Sequence, residues 1–175
     1  MFKKSQIWIE TVIYTLIGLA IIGVLLSLVK PAIEEKKDQL LLDKSLEMIE
    51  IIQDKVEEVV YYGTGNSRIV EIRIKKGQLE IDAVNEKIEF LMESSYMYSE
   101  LGKNVSIGDI NATTIKKGKL YDVKLSLNYN NLNLTSNRKD KRQVFQKAPT
   151  PYKITITNLG KNMSIAEDKI QVDFS

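Results

Sequence analysis

The residues with the clearest potential for covalent chemistry are four asparagines, each followed two positions later by serine or threonine. They are Asn104, Asn111, Asn133 and Asn162. An Asn-x-Ser/Thr sequence is the acceptor for N-linked glycosylation, and it predicts a surface position in a secreted domain. We therefore treat all four as candidate glycosylation sites, which would make the protein a glycoprotein.

Other reactive groups are sparse. The chain has no cysteine and no histidine, which excludes disulfides, thiolate metal sites and the general base most often used near neutral pH. Acidic pairs occur at Glu57-Glu58 and Glu167-Asp168, but adjacent carboxylates are typical of solvated charges. Residues 63–65 contain two glycines, but the Lys-Ser/Thr pair of a phosphate-binding loop does not follow them. The sequence predicts no enzyme activity, no catalytic residue, no metal site and no cofactor.

An uncharged stretch of nineteen residues runs from Thr11 to Val29 and is rich in Ile, Leu and Val. A helix of that length is about 28 Å long, close to the roughly 30 Å of a bilayer's hydrocarbon core. Lys3 and Lys4 precede the stretch, and lysine favours the cytoplasmic side of a membrane. The stretch exceeds the apolar core of a cleaved secretory signal. The sequence therefore predicts a single-pass protein of the cell membrane, with a cytoplasmic N-terminus and an extracellular C-terminal domain.

The first ten residues contain the basic pair Lys3 and Lys4, the small residue Ser5, then Gln6, and Glu10 four positions later. This pattern resembles the class III signal peptide of archaeal type IV pilins and archaellins. It implies that a prepilin peptidase cuts between Ser5 and Gln6, so that the apolar helix remains in the mature protein. Family members usually have glycine or alanine where this chain has Ser5.

Glu10 directly precedes the apolar stretch and has two interpretations. A charged side chain costs roughly 2–4 kcal/mol at the centre of a bilayer and less near the interface. In the first interpretation, Glu10 pairs with the free α-amino group of a neighbouring subunit and sets the axial stagger during assembly. In the second, Glu10 lies at the level of the headgroups, because the nineteen residues beyond it already span the bilayer.

Residues 31–62 predict an amphipathic stalk helix. Apolar residues recur at spacings of three and four, the period of one helix face; they are Leu42, Leu46, Ile49, Ile52, Val56 and Val59. Gly63 and Gly65 follow and favour the end of a helix. We expect the apolar face of residues 42–60 to pack on the domain that follows it.

From Ser67 onward, apolar and polar residues alternate with the period of β-strands. The alternation predicts seven or eight strands, with room for one short helix near residues 94–101. Such a pattern favours an antiparallel β-sandwich, and the resemblance to archaeal pilins and archaellins implies an immunoglobulin-like head. Two similar sequences, residues 74–79 and 115–120, each predict a short hairpin with glycine at a position of positive φ.

The predicted fold class is α+β, with four consecutive parts. Residues 1–5 form a prepilin-type leader, and residues 6–30 form a transmembrane and assembly helix. Residues 31–62 form the amphipathic stalk helix, and residues 63–175 form the extracellular antiparallel β-sandwich.

Charge is unevenly divided along the chain. Glu34 to Tyr62 carries four Lys against nine acidic residues, a balance of −5, whereas Gly63 to Ser175 carries eighteen Lys and Arg against thirteen acidic residues, a balance of +5. This division does not favour specific nucleic-acid binding, and an acidic helix beside a basic domain could attract copies of itself. Residues 130–151 are predicted to be irregular. Their basic loop, residues 138–147, has three open interpretations: a polyanion site, a contact with a neighbouring subunit's helix, or a solvated surface.

Two functions follow as hypotheses. The first is a structural subunit of an archaeal type IV pilus-like surface filament, processed by prepilin peptidase and assembled through its N-terminal helix. Its partners would be the membrane, other copies of the chain and the pilus assembly machinery. The alternative is an uncut, non-filament, membrane-anchored extracellular β-sandwich protein with a binding or accessory role. The sequence leaves open a major or minor pilin, and adhesion, secretion, uptake or motility.

Overall fold

A computed structural model describes residues 3–161 and 169–175, with side chains from residue 8 onward. One helix, α1, spans Lys3–Tyr62. Ten strands follow it: β1 Ser67–Ile72, β2 Gln78–Asp82, β3 Lys87–Ser94, β4 Asn104–Ile107, β5 Ile110–Lys117, β6 Leu120–Asn128, β7 Leu132–Ser136, β8 Arg142–Gln146, β9 Tyr152–Lys161 and β10 Ile170–Phe174. The chain divides into two compact units, Met1–Lys37 and Asp38–Ser175, which are described separately. The prediction of one long N-terminal helix followed by a β-rich region is confirmed.

The described part of the first unit, residues 3–37, is helical, and its stretch from Thr11 to Val29 is apolar on every side. Its large apolar side chains between Trp8 and Val29 are 41–74% exposed. A helix that is apolar all round is stable only inside a protein core or a membrane. Two hydroxyl groups within it are already satisfied, because Thr15 Oγ1 donates to the Thr11 carbonyl at 2.8 Å and Ser27 Oγ donates to the Val24 carbonyl at 2.7 Å. These internal bonds remove part of the cost of placing hydroxyls in a hydrocarbon environment.

In the second unit, the remaining part of α1 packs on the β-strands through the predicted apolar face. Leu42, Ile49, Ile52, Val56 and Val59 are at most 1% exposed, and together with the inward side chains of both sheets they form a single hydrophobic core. The expectation that residues 42–60 dock on their own domain is confirmed.

The helix ends where glycine permits a left-handed backbone. Gly63 has φ +86°, and its N–H donates to the Val60 carbonyl at 3.2 Å. Asn66 then donates its side-chain amide to the carbonyls of Tyr62 and Gly63, at 2.7 and 3.0 Å. These bonds satisfy carbonyls that the last turn of a helix leaves unpaired.

The strands form two sheets. One has four strands in the order β1-β9-β10-β7, and the other has six in the order β4-β5-β6-β3-β2-β8. Each sheet contributes alternate apolar residues to the core, as the period of two predicts. This arrangement is compatible with a sandwich-like α+β fold.

One strand pair departs from the predicted antiparallel arrangement. β7 and β10 pair in parallel, with Leu132 opposite Ile170 and Ser136 opposite Phe174. The chain leaves the four-stranded sheet after β7, adds β8 to the other sheet, and returns through β9 before β10. Because β8 and β9 come between them in the chain, β7 and β10 run in the same direction and become neighbours in the sheet.

Further local predictions differ from the structure. It has ten strands where the alternation predicts seven or eight, and the segment 130–151 is only partly irregular, since ten of its twenty-two residues lie in β7 and β8. All five residues of β7 are buried, so the strand has no alternating pattern of apolar and polar residues. A side chain satisfies one of its backbone donors, since Leu134 N–H donates to Glu86 Oε2 at 2.5 Å. No helix forms within residues 94–101, where Ser94 Oγ accepts from the Tyr96 N–H at 2.9 Å and holds a turn.

The two similar turns have different roles. Gly77 and Gly118 both have positive φ, +82° and +63°, as predicted. Residues 115–120 close a hairpin, because β5 pairs with β6. Residues 74–79 do not, because β1 and β2 belong to different sheets. The sequence predicts the backbone conformation at both glycines, whereas strand pairing decides which turn is a hairpin.

Candidate functional site

The apolar part of α1 is the first candidate site, because its large apolar side chains from Trp8 to Val29 are 41–74% exposed. Within the residues that the structure describes, one helix is long and apolar enough to cross a membrane, and none of its most apolar part is buried. Trp8 and Tyr14 are 74% and 71% exposed at its N-terminal end, as aromatic residues at a membrane interface would be.

The predicted processing and assembly residues lie at the start of the same helix. Glu10 is helical and exposed, one residue before the uncharged stretch. Ser5 and Gln6 are helical in their backbone, and their side chains lie outside the described part of the chain. The interpretations of these three residues stay predictions.

A buried carboxylate fastens the start of the second unit. Asp38 is 6% exposed and accepts hydrogen bonds from Lys76 Nζ at 2.7 Å, Ser95 N at 2.8 Å and Ser95 Oγ at 2.9 Å. Burial alone would raise the pKa of Asp38, but these hydrogen bonds outweigh it and hold the pKa below its usual value. The burial of Asp38 is not evident from the sequence, since one acidic residue on an amphipathic helix carries no signal of burial.

The outward side of the docked helix is acidic. Its carboxylates recur at spacings of four and three and are all exposed; they belong to Asp43, Glu47, Glu50, Asp54 and Glu57. We name these five residues the acidic face. In the described ranges, no lysine or arginine lies within 4 Å of any of them. The helix therefore presents a row of negative charge on its exposed side. The row borders the β-strand domain at Asp43, which hydrogen-bonds Tyr98, and at Glu57.

A polar cleft lies beside one end of the acidic face. It has a volume of about 400 Å³ and is lined by Glu57, Gln53 and Asp109 among others. Gln53 Nε2 donates to both carboxylates at 2.8 Å. Tyr129 also lines the cleft, and its buried hydroxyl has no hydrogen-bond partner in the described residues. Burial, followed by the charges of Glu57 and Asp109, raises the pKa of Tyr129.

A larger and more apolar cleft lies on the six-stranded sheet. Its volume is about 610 Å³, and its lining includes Leu91, Ile115 and Val123 with the charged residues Glu93 and Lys147. Strands β2, β3, β5, β6 and β8 all contribute to it. The sequence could not indicate this cleft, because its residues lie far apart in the chain.

Three of the four predicted glycosylation sites lie in the described part. Asn104 and Asn111 pair with Thr113 and Ser106 across β4 and β5, so each asparagine faces the hydroxyl residue of the other's Asn-x-Ser/Thr sequence. Asn104 is exposed and Asn111 is partly exposed. Ser106 Oγ donates to Asn111 Oδ1 at 2.8 Å, and Thr113 Oγ1 donates to Asn104 Oδ1 at 3.5 Å.

The other two predicted glycosylation sites have different surroundings. Asn133 lies in β7 and is 7% exposed, which leaves little room for a glycan. Asn162 lies outside the described residues. Glycosylation itself stays a prediction at all four asparagines.

The predicted basic loop, residues 138–147, is partly a strand. Arg142 begins β8 and lies 3.0 Å from Asp82 and 3.6 Å from Glu80. The backbone N–H of Arg138 donates to Asp173 Oδ1 at 2.6 Å, which fastens the turn before β8 to β10. The prediction that residues 138–147 form a loop is therefore wrong over β8, Arg142–Gln146, and ion pairs and hydrogen bonds to β2 and β10 hold the segment.

Groups of three or more acidic side chains placed to hold a metal ion do not occur among the described residues. Comparison of the chain with protein families, curated proteins and solved structures finds no match. Any functional conclusion consequently rests on this chain's own residues and on the resemblance of its first ten.

Proposed function

We propose that the protein is a structural subunit of an archaeal type IV pilus-like surface filament, with an immunoglobulin-like sandwich as its outer domain. In this proposal a prepilin peptidase removes residues 1–5, and the mature chain assembles through its N-terminal helix. The membrane holds the subunit before assembly, and other copies of the chain surround the same helix afterwards.

The observation that supports the proposal is the exposure of the apolar helix on all sides. Its large apolar side chains between Trp8 and Val29 are 41–74% exposed, so lipid or other molecules would have to bury them. A bilayer and a bundle of identical helices both supply that burial. The resemblance of the first ten residues favours the bundle, since a plain membrane anchor needs neither Gln6 nor Glu10.

Processing is tested by the intact mass of the protein extracted from its native membrane. The proposal expects loss of Met1 through Ser5 and a mature N-terminus at Gln6. A Ser5→Arg variant should remain uncut, because a large charged residue replaces the small one before the bond. A mature protein that still carries Met1 would refute the processing step.

The assembly role of Glu10 is tested separately. Glu10→Ala should be cut normally but should give a much lower yield of filaments, because the subunits lose the charge that sets their axial stagger. Glu34→Ala is the matched control, since it removes a carboxylate that lies beyond the uncharged stretch. An unchanged filament yield from Glu10→Ala would contradict the register role and would place Glu10 at the headgroups.

The cleft on the six-stranded sheet favours a second candidate function. An open apolar cleft of about 610 Å³ with charged residues at its rim is large enough for a peptide segment or a small ligand. It supports a membrane-anchored binding or accessory protein that does not polymerise. Purified surface fibres that lack the chain, together with an uncut N-terminus, would favour this candidate over the filament subunit.

A further inference from the structure

One end of the six-stranded sheet gathers lysines from separate parts of the chain. Antiparallel pairing brings the starts of β2 and β6 and the ends of β3, β5 and β8 to this end. Lys116 lies there near the end of β5, and Lys75, Lys119 and Lys147 lie on the connecting segments; all four are exposed. We name these four residues the lysine end.

The lysine end has an excess of positive charge after its ion pairs are counted. The carboxylates around the lysine end are Asp43 and four others that each lie within 4 Å of a further lysine. Asp38 lies 2.7 Å from Lys76, Glu100 lies 2.8 Å from Lys103, and Glu93 and Asp122 lie 3.7 and 3.4 Å from Lys117, whereas Asp43 hydrogen-bonds Tyr98. These three lysines and the four of the lysine end therefore stand as seven against five carboxylates, a net charge of +2. Among the described residues, no carboxylate lies within 4 Å of the four lysines that define this end.

Exposed apolar side chains lie among these lysines. Met97, Leu101, Ile115 and Leu120 are 46%, 43%, 60% and 36% exposed. Leu101 bridges to Thr114, next to Ile115. A surface that combines lysines with exposed apolar side chains is typical of proteins that bind at a membrane interface, where ammonium groups meet anionic headgroups and apolar groups enter the acyl boundary.

Chain connectivity limits how far this end can lie from the apolar stretch. Lys76, which lies beside the lysine end, donates to Asp38, and Asp38 follows Val29 by nine positions in sequence. Nine residues span at most about 30 Å even when fully extended. The tether between the apolar stretch and Asp38 is therefore no longer than about 30 Å.

We propose that the lysine end docks on the anionic surface of the membrane in which the chain is anchored. The four lysines contact lipid phosphates, and the exposed apolar side chains lie at the interface. The proposal concerns the membrane-inserted chain and needs neither leader cleavage nor filament assembly. It does not extend to the acidic face, because an anionic surface repels those carboxylates.

The test uses the full chain in nanodiscs, one molecule per disc, made of phosphatidylcholine with or without phosphatidylglycerol. Amine acetylation is followed for each lysine by mass spectrometry. In anionic discs the four lysines should react about fivefold more slowly than in neutral discs, the factor expected for a lysine held at an anionic surface. Roughly 1 M NaCl, where the screening length falls to about 3 Å, should remove most of this difference.

Internal controls come from the opposite end of the same sheet. Lys139 and Lys141 are exposed and precede β8, and their acetylation should not depend on lipid charge. A Lys116→Glu, Lys119→Glu double variant should lose the protection of Lys75 and Lys147, whereas Lys139→Glu, Lys141→Glu should keep it. Circular dichroism confirms that each variant is folded.

Two outcomes would overturn the proposal. Equal acetylation of the lysine end in neutral and anionic discs would show that lipid charge does not engage it. Protection that appears only when several molecules share a disc, whatever the lipid, would assign the lysine end to the acidic face of a second copy instead.

Discussion

Gly77 and Gly118 allow a test in which nearly identical sequences should respond differently to the same substitution. Both glycines follow a Lys-Lys pair, and both have positive φ. Alanine in this backbone region costs about 1–2 kcal/mol at either position. Only the surroundings of the new methyl group differ between them.

The surroundings of Gly77 are crowded, whereas those of Gly118 are open. A Cβ atom at Gly77 would clash with the Leu91 carbonyl oxygen and would lie 3.0 Å from both Met92 Cβ and Phe90 Cζ, whereas a Cβ at Gly118 has no neighbour within 4 Å. Forcing atoms into packed surroundings costs about 1–3 kcal/mol more. We therefore expect Gly77→Ala to destabilise the domain by about 2–5 kcal/mol and Gly118→Ala by about 1–2 kcal/mol.

Calorimetry of the purified protein in detergent measures this difference. For a domain of this size, 1 kcal/mol corresponds to about 3–4 °C in melting temperature. Gly118→Ala should melt about 5 °C below the wild type, and Gly77→Ala about 10 °C below it or lower. Equal melting temperatures for the two variants would refute the close approach of β3 to the turn at Gly77.

Three further predictions concern the core, the buried carboxylate and the hairpin. Ile52→Ala should lower the free energy of unfolding by about 2–5 kcal/mol because Ile52 is 1% exposed. Its neighbour Ile51 is 42% exposed, so Ile51→Ala should lower it by under about 1 kcal/mol. Similar losses for the two variants in denaturant unfolding would contradict the assigned helix face. Asp38→Asn should lower the free energy of unfolding by about 2 kcal/mol at neutral pH. Because the folded pKa of Asp38 is lowered, the stabilisation by its carboxylate is complete above about pH 4 and is lost as the pH falls through the folded pKa. The stabilities of wild type and variant should therefore converge in acid, and a difference that stays constant with pH would count against the ionised form. If the hairpin is glycosylated in its native host, Asn104→Gln and Asn111→Gln should each remove one glycan mass from the intact protein, and unchanged masses would show that neither asparagine is used.

Prediction from sequence succeeded where local periodicity decides structure. The apolar face of α1 follows the helix period over five buried residues, and burial of that face needs no information about which strand it contacts. Alternation from Ser67 onward likewise predicts a β-rich domain, although it predicts seven or eight strands where the structure has ten. Positive φ at Gly77 and Gly118 followed from the same local rules, since glycine is the residue that adopts this backbone without strain.

Prediction failed where a strand is buried on both faces or lies at an edge. β7 has polar residues inside the fold, because Thr135 Oγ1 donates to Asp173 Oδ1 at 2.8 Å and Leu134 N–H donates to Glu86. These partners are 38 and 48 positions away, so no local pattern signals them. β8 was mistaken for a basic loop because the carboxylates that pair with Arg142 lie on β2.

Some candidate sites can be located from the sequence alone, and others depend on the tertiary structure. The uncharged stretch, Glu10 and the Asn-x-Ser/Thr sequences are properties of contiguous residues, and the sequence by itself determines them. The lysine end, the apolar cleft and the burial of Asp38 depend on strand order, which joins positions that are distant in the chain.

The sequence determined that a long apolar helix begins the chain and that alternating strands follow it, because burial of apolar residues has a period that can be counted locally. Only the tertiary structure decided that β7 and β10 run in parallel, that the two Lys-Lys-Gly turns differ, and that their lysines meet at one end of a sheet. The physical reason is that hydrogen-bonded strand order and side-chain packing depend on contacts between distant segments, and each segment alone is compatible with several such orders.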